Sequence, residues 1–254
     1  GVFMKSVCIS VCIPCYEMSG EGHKYLKHNL NQLLIQDFKN FEVIVSDQSK
    51  NNEIKVLCDR YKNSLNLKYY LNTDGKKQAS ANTNYAMKKA SGDIIKILFQ
   101  DDYLFSKNAL TKISNTFKKT QVIWAVSGSE HSFDGISVFR KFIPKYNKNI
   151  QFGYNTISSP SVLSVRRENY IKFDEELIYL MDVDLYKRYF DRNGLPNVID
   201  EVLVVNRLHD KQVSQLVSKS LIRSELHYIR KKFKSQMDLK NWFIYIKRVL
   251  KSYI

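Results

Sequence analysis

The chain has 254 residues, 44% of them hydrophobic and 26% charged, with a formal net charge of +15. That length suits one large domain, or one domain with an appendage, and is ample for a sizeable core. No run of about 18 apolar residues occurs, so no membrane-spanning helix is predicted. The apolar start alternates like a strand and lacks a small-residue cleavage site, so no signal peptide is expected either. Gly1 to Phe3, ahead of Met4, read as an added leader. Four cysteines, Cys8, Cys12, Cys15 and Cys58, are too few for a disulfide scaffold and point to a reducing cytoplasm.

Taken in chain order, Ser6–Ile13 alternates and is β-rich, predicting a first strand. After a polar loop at Met18–Gly22, Leu26, Leu30, Leu33 and Leu34 recur at helical spacing. "FEVIVSD" predicts strand two, and Ile54, Leu57, Cys58 and Tyr61 a second helix. "NLKYYLN" predicts strand three, and Ala79–Ala90 a helix stopped at Gly92. "IIKILF" predicts strand four and runs straight into Asp101 and Asp102. A helix at Ser106–Lys119 and a strand "QVIWAVSG" complete the first 128 residues. Such alternation predicts a parallel α/β sheet, with ligands beyond the carboxyl ends of the strands. Strands one, two and four end there in Tyr16-Glu17, Asp47-Gln48-Ser49 and Gln100-Asp101-Asp102, which should converge on one crevice.

From Ser129 the pattern loosens into short strands and loops, "HSFDGISVFRKF" and "NTISSPSVLSV". A helix follows at Met181–Arg192, then the turn "RNGLP" and the strand "NVIDEVLVVNR". The remainder reads as helical and basic. From Val205 to Ile254, twelve lysines and arginines face three acids, a net +9.

Several residues are candidates for chemistry. Asp101 and Asp102 repel each other unless a cation or hydrogen bonds compensate. A hard divalent ion accepts one or two carboxylates plus phosphate oxygens and water. The competing reading is a solvated turn capping the next helix. Asp182 sits at a helix start, where carboxylates are favoured anyway; as a general base it must face the crevice. His209 follows a strand and is either a metal ligand or an ordinary polar histidine. Cys12, Cys15, His23 and His28 have zinc-ligand types, but the gap between the pairs is too short for a finger and Cys12 lies in a strand. Cys12-x-x-Cys15 does not open a helix, as an activated thiol pair requires. Cys8 and Cys12 read as small buried fillers.

"IPCYE", "FEVIVSDQS", "ANTNYAMKKASGDIIKILFQDD", "SSPSVLSVRRE", "FDEELIYLMDVDLYKRY" and "RLHDKQVS" stand in this order. Together they resemble the family 2 glycosyltransferases over about Ser6 to Ser214. The resemblance implies the GT-A fold, a Rossmann-like, mostly parallel central sheet flanked by helices. It implies an inverting transfer from a nucleotide-diphosphate sugar, UDP-sugar favoured, to a hydroxyl of a glycan or lipid-linked acceptor. Residues 1–214 would be the catalytic domain, with 1–128 the nucleotide-binding half and 129–214 the acceptor half. Residues 215–254 would be a basic helical extension. Pro14, Tyr16, Glu17 and Asp47 would line the nucleoside pocket, and Ser159, Pro160 and Ser161 the donor sugar and acceptor. Asn82, Gln100 and Asp101 would contact the donor, with Lys76 or Lys77 facing the diphosphate. Asp102 and His209 would hold Mn²⁺ or Mg²⁺, and Asp182 would be the catalytic base. The pattern departs from the family's at Phe99, where many members carry an acid, at Met181, and at Ala81, where an arginine is common.

Two other functions compete. One is a catalytically inactive nucleotide-sugar-binding relative. The other is a nucleic-acid binder, suggested by basic charge; no nucleic-acid motif supports it. Richness in Lys, Asn, Ile and Tyr suggests an AT-rich bacterial genome and surface-polysaccharide synthesis. The expected location is cytoplasmic, either free or peripheral on the inner face of the cell membrane. Leu239, Phe243, Ile246, Leu250 and Tyr253 share one helical face, and Lys240, Lys247, Arg248 and Lys251 another. Such a helix either packs its apolar face on the domain or lies on an anionic membrane.

Overall fold

The computed structural model describes residues 7–253, apart from the side chains of Val213 and Ser214. Ser6 and Gly1 to Phe3 lie outside them. The elements in chain order are β1 Ile9–Cys15, α1 Gly22–Leu34, β2 Phe41–Asp47, α2 Glu53–Tyr61, β3 Leu67–Leu71 and α3 Ala79–Lys89. Next come β4 Ile94–Ile97, β5 Tyr103–Leu104, α4 Ala109–Phe117, β6 Trp124–Ser132, β7 Phe139–Phe142 and β8 Leu163–Arg166. The chain closes with α5 Met181–Asn193, β9 Asn197–Arg207, α6 Val213–Leu216, α7 Lys219–Lys232 and α8 Leu239–Lys251.

The nine strands form one sheet in the order β3-β2-β1-β4-β8-β6-β9-β5, with β7 paired to β6. β1, β2, β3 and β4 are mutually parallel. β8 runs antiparallel to both β4 and β6, so β6 points the same way as β4, and β9 is parallel to β6. Six strands therefore share one direction, and β5, β7 and β8 oppose it. This arrangement explains the site's composition. The carboxyl ends of β1, β2, β4, β6 and β9 meet on one edge. The reversed β8 brings the segment before it, Ser159–Val162, to that same edge.

Every residue of β1 and of β2 is buried. Central parallel strands are covered on both faces and so read as apolar runs rather than alternations. The helices supply the cover: Leu26, Leu30 and Leu33 of α1, Ile54 and Leu57 of α2, and Ala86 and Met87 of α3 belong to one core. On α5, Tyr189 stacks on Trp124 of β6, with ring centroids 5.3 Å apart. That contact fixes the helix whose first turn carries Asp182.

The proposed break after residue 214 is not a break in packing. Leu226, Ile229 and Phe233 on and just after α7 are buried in the same core as β1. The Glu225 carboxylate is buried and accepts the backbone N–H groups of Ile178, Tyr179 and Leu180 at 2.7–3.3 Å. These groups lead into α5, the last of them on its N-cap residue Leu180, near the positive end of the helix dipole. α7 therefore holds the entry to the helix that bears Asp182. No helix among the described residues is long and apolar enough to cross a membrane.

Candidate active site

The floor of the crevice is built from buried amides. Gln100 follows β4; its Oε1 accepts Tyr16 N–H at 3.0 Å, and its Nε2 donates to Tyr16 O at 3.0 Å and Gly22 O at 2.7 Å. A Cβ at Gly22 would lie 2.2 Å from Tyr16 O and 2.7 Å from that Nε2. Only glycine lets α1 begin so close to the clamp. Asn82 does the same work on the other side. Its Nδ2 donates to Cys15 O and Ser46 O at 3.0 Å, and its Oδ1 accepts from Ser46 Oγ and Asn72 Nδ2. Asp47 is fully buried and accepts Tyr69 Oη–H at 2.8 Å and Ser49 N–H at 2.9 Å. The sequence reading gave these three side chains to the ligand. The structure commits their polar atoms to the protein: they hold the strand ends in place.

Pro14 is buried in β1 opposite Ser46. Tyr16 and Glu17 stay on the rim, with Tyr16 41% exposed and Glu17 Oε2 accepting Lys50 N–H at 3.3 Å. Lys76 pairs with Glu176 Oε1 at 2.6 Å and Glu175 O at 3.0 Å. Both partners of that ion pair are exposed, so it contributes at most about 1 kcal/mol. Cys12 and Cys15 are buried, and burial pushes both thiols well above their ordinary pKa. Spaced three apart in β1, they point to opposite faces.

Asp101 and Asp102 are chemically different neighbours. Asp101 Oδ2 lies 2.8 Å from His209 Nε2, at a partly open edge. The other ring nitrogen, Nδ1, accepts Lys211 N–H at 3.2 Å. A neutral imidazole has one donor and one acceptor. That pattern assigns the proton to Nε2, which donates to Asp101, and the ring is further fixed by stacking on Tyr25 at 4.8 Å. Asp102 lies beneath, 4% exposed. Its Oδ1 accepts Arg207 N–H at 3.1 Å, and its Oδ2 accepts from Asn206 Nδ2 at 3.0 Å and Ser159 Oγ at 3.2 Å. Burial, then the charge of Asp101, push its pKa up.

Asp182 stands at the opening of α5. Its Oδ1 accepts Val183 N–H at 2.7 Å and its Oδ2 accepts Asn155 Nδ2 at 2.8 Å. Burial pushes its pKa up to about 6, against the pull of those bonds. Asn155 Nδ2 also donates to Ser158 O, and its Oδ1 accepts Ile157 N–H and Ser158 N–H, each at 3.0 Å. Ser158 has φ +98°, which a side-chain-bearing residue rarely adopts, and its hydroxyl bonds Asn206 Oδ1 at 2.9 Å. An unbroken chain thus runs Asp182–Asn155–Ser158–Asn206–Asp102.

Four of these groups escaped sequence reasoning: Asn155, Ser158, Asn206 and Lys96. Ser159, Pro160 and Ser161 marked the neighbourhood but not the strained serine just before them. Lys96 sits in the middle of β4, fully buried, with Nζ donating to Ser161 O. Burial pushes its pKa down to about 7, while Asp102 acts in the opposite sense. It was hidden because one lysine in "IIKILF" looks like the exposed residue of a strand. Two surface cavities of about 250 Å³ lie elsewhere, one beside Trp124 and Pro196 and one between α5 and α8.

A divalent ion fits the residues present in one way. Among the described residues no group of three or more His, Cys, Asp or Glu converges as a closed metal site. A hard ion completed by phosphate and water needs no such group. The accessible carboxylate is that of Asp101, oriented by His209. Asp102 is taken up by three internal donors, and His209 directs an N–H, not a lone pair, at Asp101. The sequence reading assigned the metal to Asp102 and His209; in the structure Asp102 is buried among those donors and His209 Nε2 faces Asp101.

Residues 10–172 match the model of Glycosyl transferase family 2, well over half of the chain. The chain belongs to this family. A β-1,3-glucosyltransferase of Campylobacter jejuni that acts on GalNAc(5)-diNAcBac-PP-undecaprenol is 33% identical over 99 residues, which are 39% of this chain and 31% of that protein. The chain thus matches about a third of that relative's length. Among solved structures, Staphylococcus aureus TarS residues 1–349, in complex with UDP-GlcNAc, superposes with a TM-score of 0.69 at 21% identity, covering 97% of this chain and 72% of that one. A Pyrobaculum calidifontis mannosyltransferase in complex with GDP-Man and Mn²⁺ superposes with a TM-score of 0.62 at 12% identity, covering 97% of this chain and 69% of that one. These likenesses establish the GT-A fold expected for the family.

Proposed function

We propose that this family 2 member transfers a sugar from a nucleotide-diphosphate sugar, UDP-linked by preference, to a hydroxyl of a glycan or lipid-linked glycan, with inversion. The setting is bacterial surface-polymer synthesis, on the inner face of the cell membrane. The observation that carries the reading is Asp182. It is a carboxylate whose pKa burial raises to about 6, fixed at a helix start and joined through Asn155, Ser158 and Asn206 to Asp102 after β4. A general base works best with a pKa close to the operating pH and contributes roughly 10²- to 10⁴-fold. The UDP-GlcNAc and undecaprenol-linked substrates named for the two bacterial relatives are consistent with this donor and acceptor.

Residues 1–128 hold the nucleotide and 129–214 present the acceptor. Tyr16 and Glu17 contact the nucleoside from the rim, above a frame set by Pro14, Asp47, Asn82 and Gln100. Asp101, held by His209, would hold Mn²⁺ or Mg²⁺, which would supply positive charge to the diphosphate leaving group. Asp182 removes the proton from the acceptor hydroxyl as its oxygen bonds the anomeric carbon. The bond from that carbon to the phosphate oxygen breaks, and the nucleoside diphosphate leaves with the electron pair. Ser159 and Ser161 border the donor sugar.

A thermal-shift screen of nucleotide sugars with and without Mn²⁺ tests the donor assignment through ligand linkage to stability. A UDP-sugar that raises Tm more with Mn²⁺ than without supports it; no shift with any nucleotide sugar refutes it. Release of nucleoside diphosphate from the donor so found separates an enzyme from an inactive relative.

A further inference from the structure

Helix α8 turns a mixed face to the domain. Ile244, Tyr245 and Val249 pack on the core, and the polar groups among them are hydrogen-bonded. Asn241 Oδ1 accepts from Gln151 Nε2 at 3.3 Å, Tyr245 Oη bonds His227 Nδ1, and Arg248 Nε donates to Phe152 O at 2.9 Å. Asn241 and Tyr245 are 6% and 7% exposed. The sequence reading placed Arg248 with the outer lysines; it faces inward instead, over the ring of Tyr154. The apolar stripe faces outward: Leu239 is 90% exposed, Phe243 69%, Ile246 50%, Leu250 60% and Tyr253 67%. Packing of that stripe on the domain is therefore ruled out.

Five large apolar side chains in a row, at spacings of three and four, form a patch of the kind that marks an interaction surface. The exposed Lys240, Lys247 and Lys251 all lie along one flank of it. A second copy packed antiparallel on this stripe would bring the same lysines against them, like charge on like. An anionic bilayer complements both features. It takes up the stripe among its acyl chains and the ammonium groups among its headgroup phosphates.

We propose that α8 seats the protein on an anionic lipid surface through this outward stripe. The proposal rests on the lipid-linked acceptor reading above and adds the surface that meets the membrane. The position of α8 gives it a consequence. It is fastened to the Ile150–Phe152 turn, two residues before Tyr154 and three before Asn155, which holds Asp182. The helix that carries the docked face is therefore anchored to the segment that leads to Asn155.

The test is co-sedimentation of the full chain with vesicles of phosphatidylcholine alone and of phosphatidylcholine with phosphatidylglycerol. Three forms are compared: wild type, Phe243→Glu with Leu250→Glu, and Lys240→Gln with Lys247→Gln and Lys251→Gln. Wild type should bind the anionic vesicles. The double variant should lose tenfold or more of that binding. The triple variant should lose its preference for the anionic lipid, and added salt should mimic it. Equal binding by wild type and the double variant overturns the proposal. So does absence of wild-type binding, or a concentration-dependent dimer that the double variant abolishes. Donor-dependent nucleotide release, measured without vesicles, should be the same in all three forms. If release is absent while vesicle binding follows the expected order, the enzymatic reading fails and the docking surface stands.

Discussion

Asn155 Nδ2 donates to Asp182 Oδ2 at 2.8 Å, across 27 residues of chain. The bond favours the ionised carboxylate, and burial opposes it. Asp182 must be unprotonated to accept a proton, so turnover should rise with pH through about 6 and then level off. Asn155→Ala removes a bond to the charged form. Its inflection should move to higher pH, by up to about one unit. A pH–rate profile of the two proteins checks the sign.

Glu225 supplies the opposite lever. Its charge raises the pKa of Asp182, and its oxygens hold the entry to α5. Glu225→Gln should shift the same inflection to lower pH. Glu225→Ala strands three backbone N–H groups and should cost at least about 2 kcal/mol in urea unfolding, since each unsatisfied buried donor costs about 1–3. An unchanged midpoint for Glu225→Ala would show that these bonds are dispensable.

Acid should unfold the protein partly through Glu42. Burial pushes its pKa up, but bonds from Lys68, Ser10 and Ser91 outweigh that and hold it at about 2. A carboxyl depressed on folding stabilises the native state above its unfolded pKa, about 4.3. That contribution is lost as pH falls from there toward 2. Glu42→Gln should be less stable at neutral pH and should show a shallower loss between pH 4 and 2. Parallel unfolding curves for the two proteins across that range would contradict the assignment.

His209 is expected to act on the metal only through Asp101. Asp101→Asn should abolish the Mn²⁺-dependent part of the donor-induced Tm shift. His209→Ala should weaken it, and His209→Gln, which keeps an N–H donor, should restore much of it. If His209→Gln is as defective as Asp101→Asn, the imidazole is itself a ligand.

The alternation of strand and helix was legible because buried strands and amphipathic helices leave different apolar periods. β9, Asn197–Arg207, was read to the residue. β5, of two residues, is too short to carry a period. The acids at the strand ends could be named, because polar residues after an apolar run mark the ligand edge of a parallel sheet. Their division of labour could not. Whether Gln100, Asn82 and Asp47 reach a ligand depends on partners such as Tyr16, Ser46 and Tyr69, 22 to 84 residues away. The same limit applies to α8, whose period gives an apolar face without saying which way it points. The cysteines of "VCIPCYE" are buried, and Cys12→Ala with Cys15→Ala should leave turnover intact.

The central claim is that Asp182 is the base of a nucleotide-sugar transferase. Its most direct test is nucleoside-diphosphate release from the donor found by thermal shift, comparing wild type with Asp182→Asn. The variant should lose release by roughly 10²-fold or more while its donor-induced Tm shift stays as large as that of wild type. Release at the wild-type rate, with that shift retained, would contradict the assignment of Asp182.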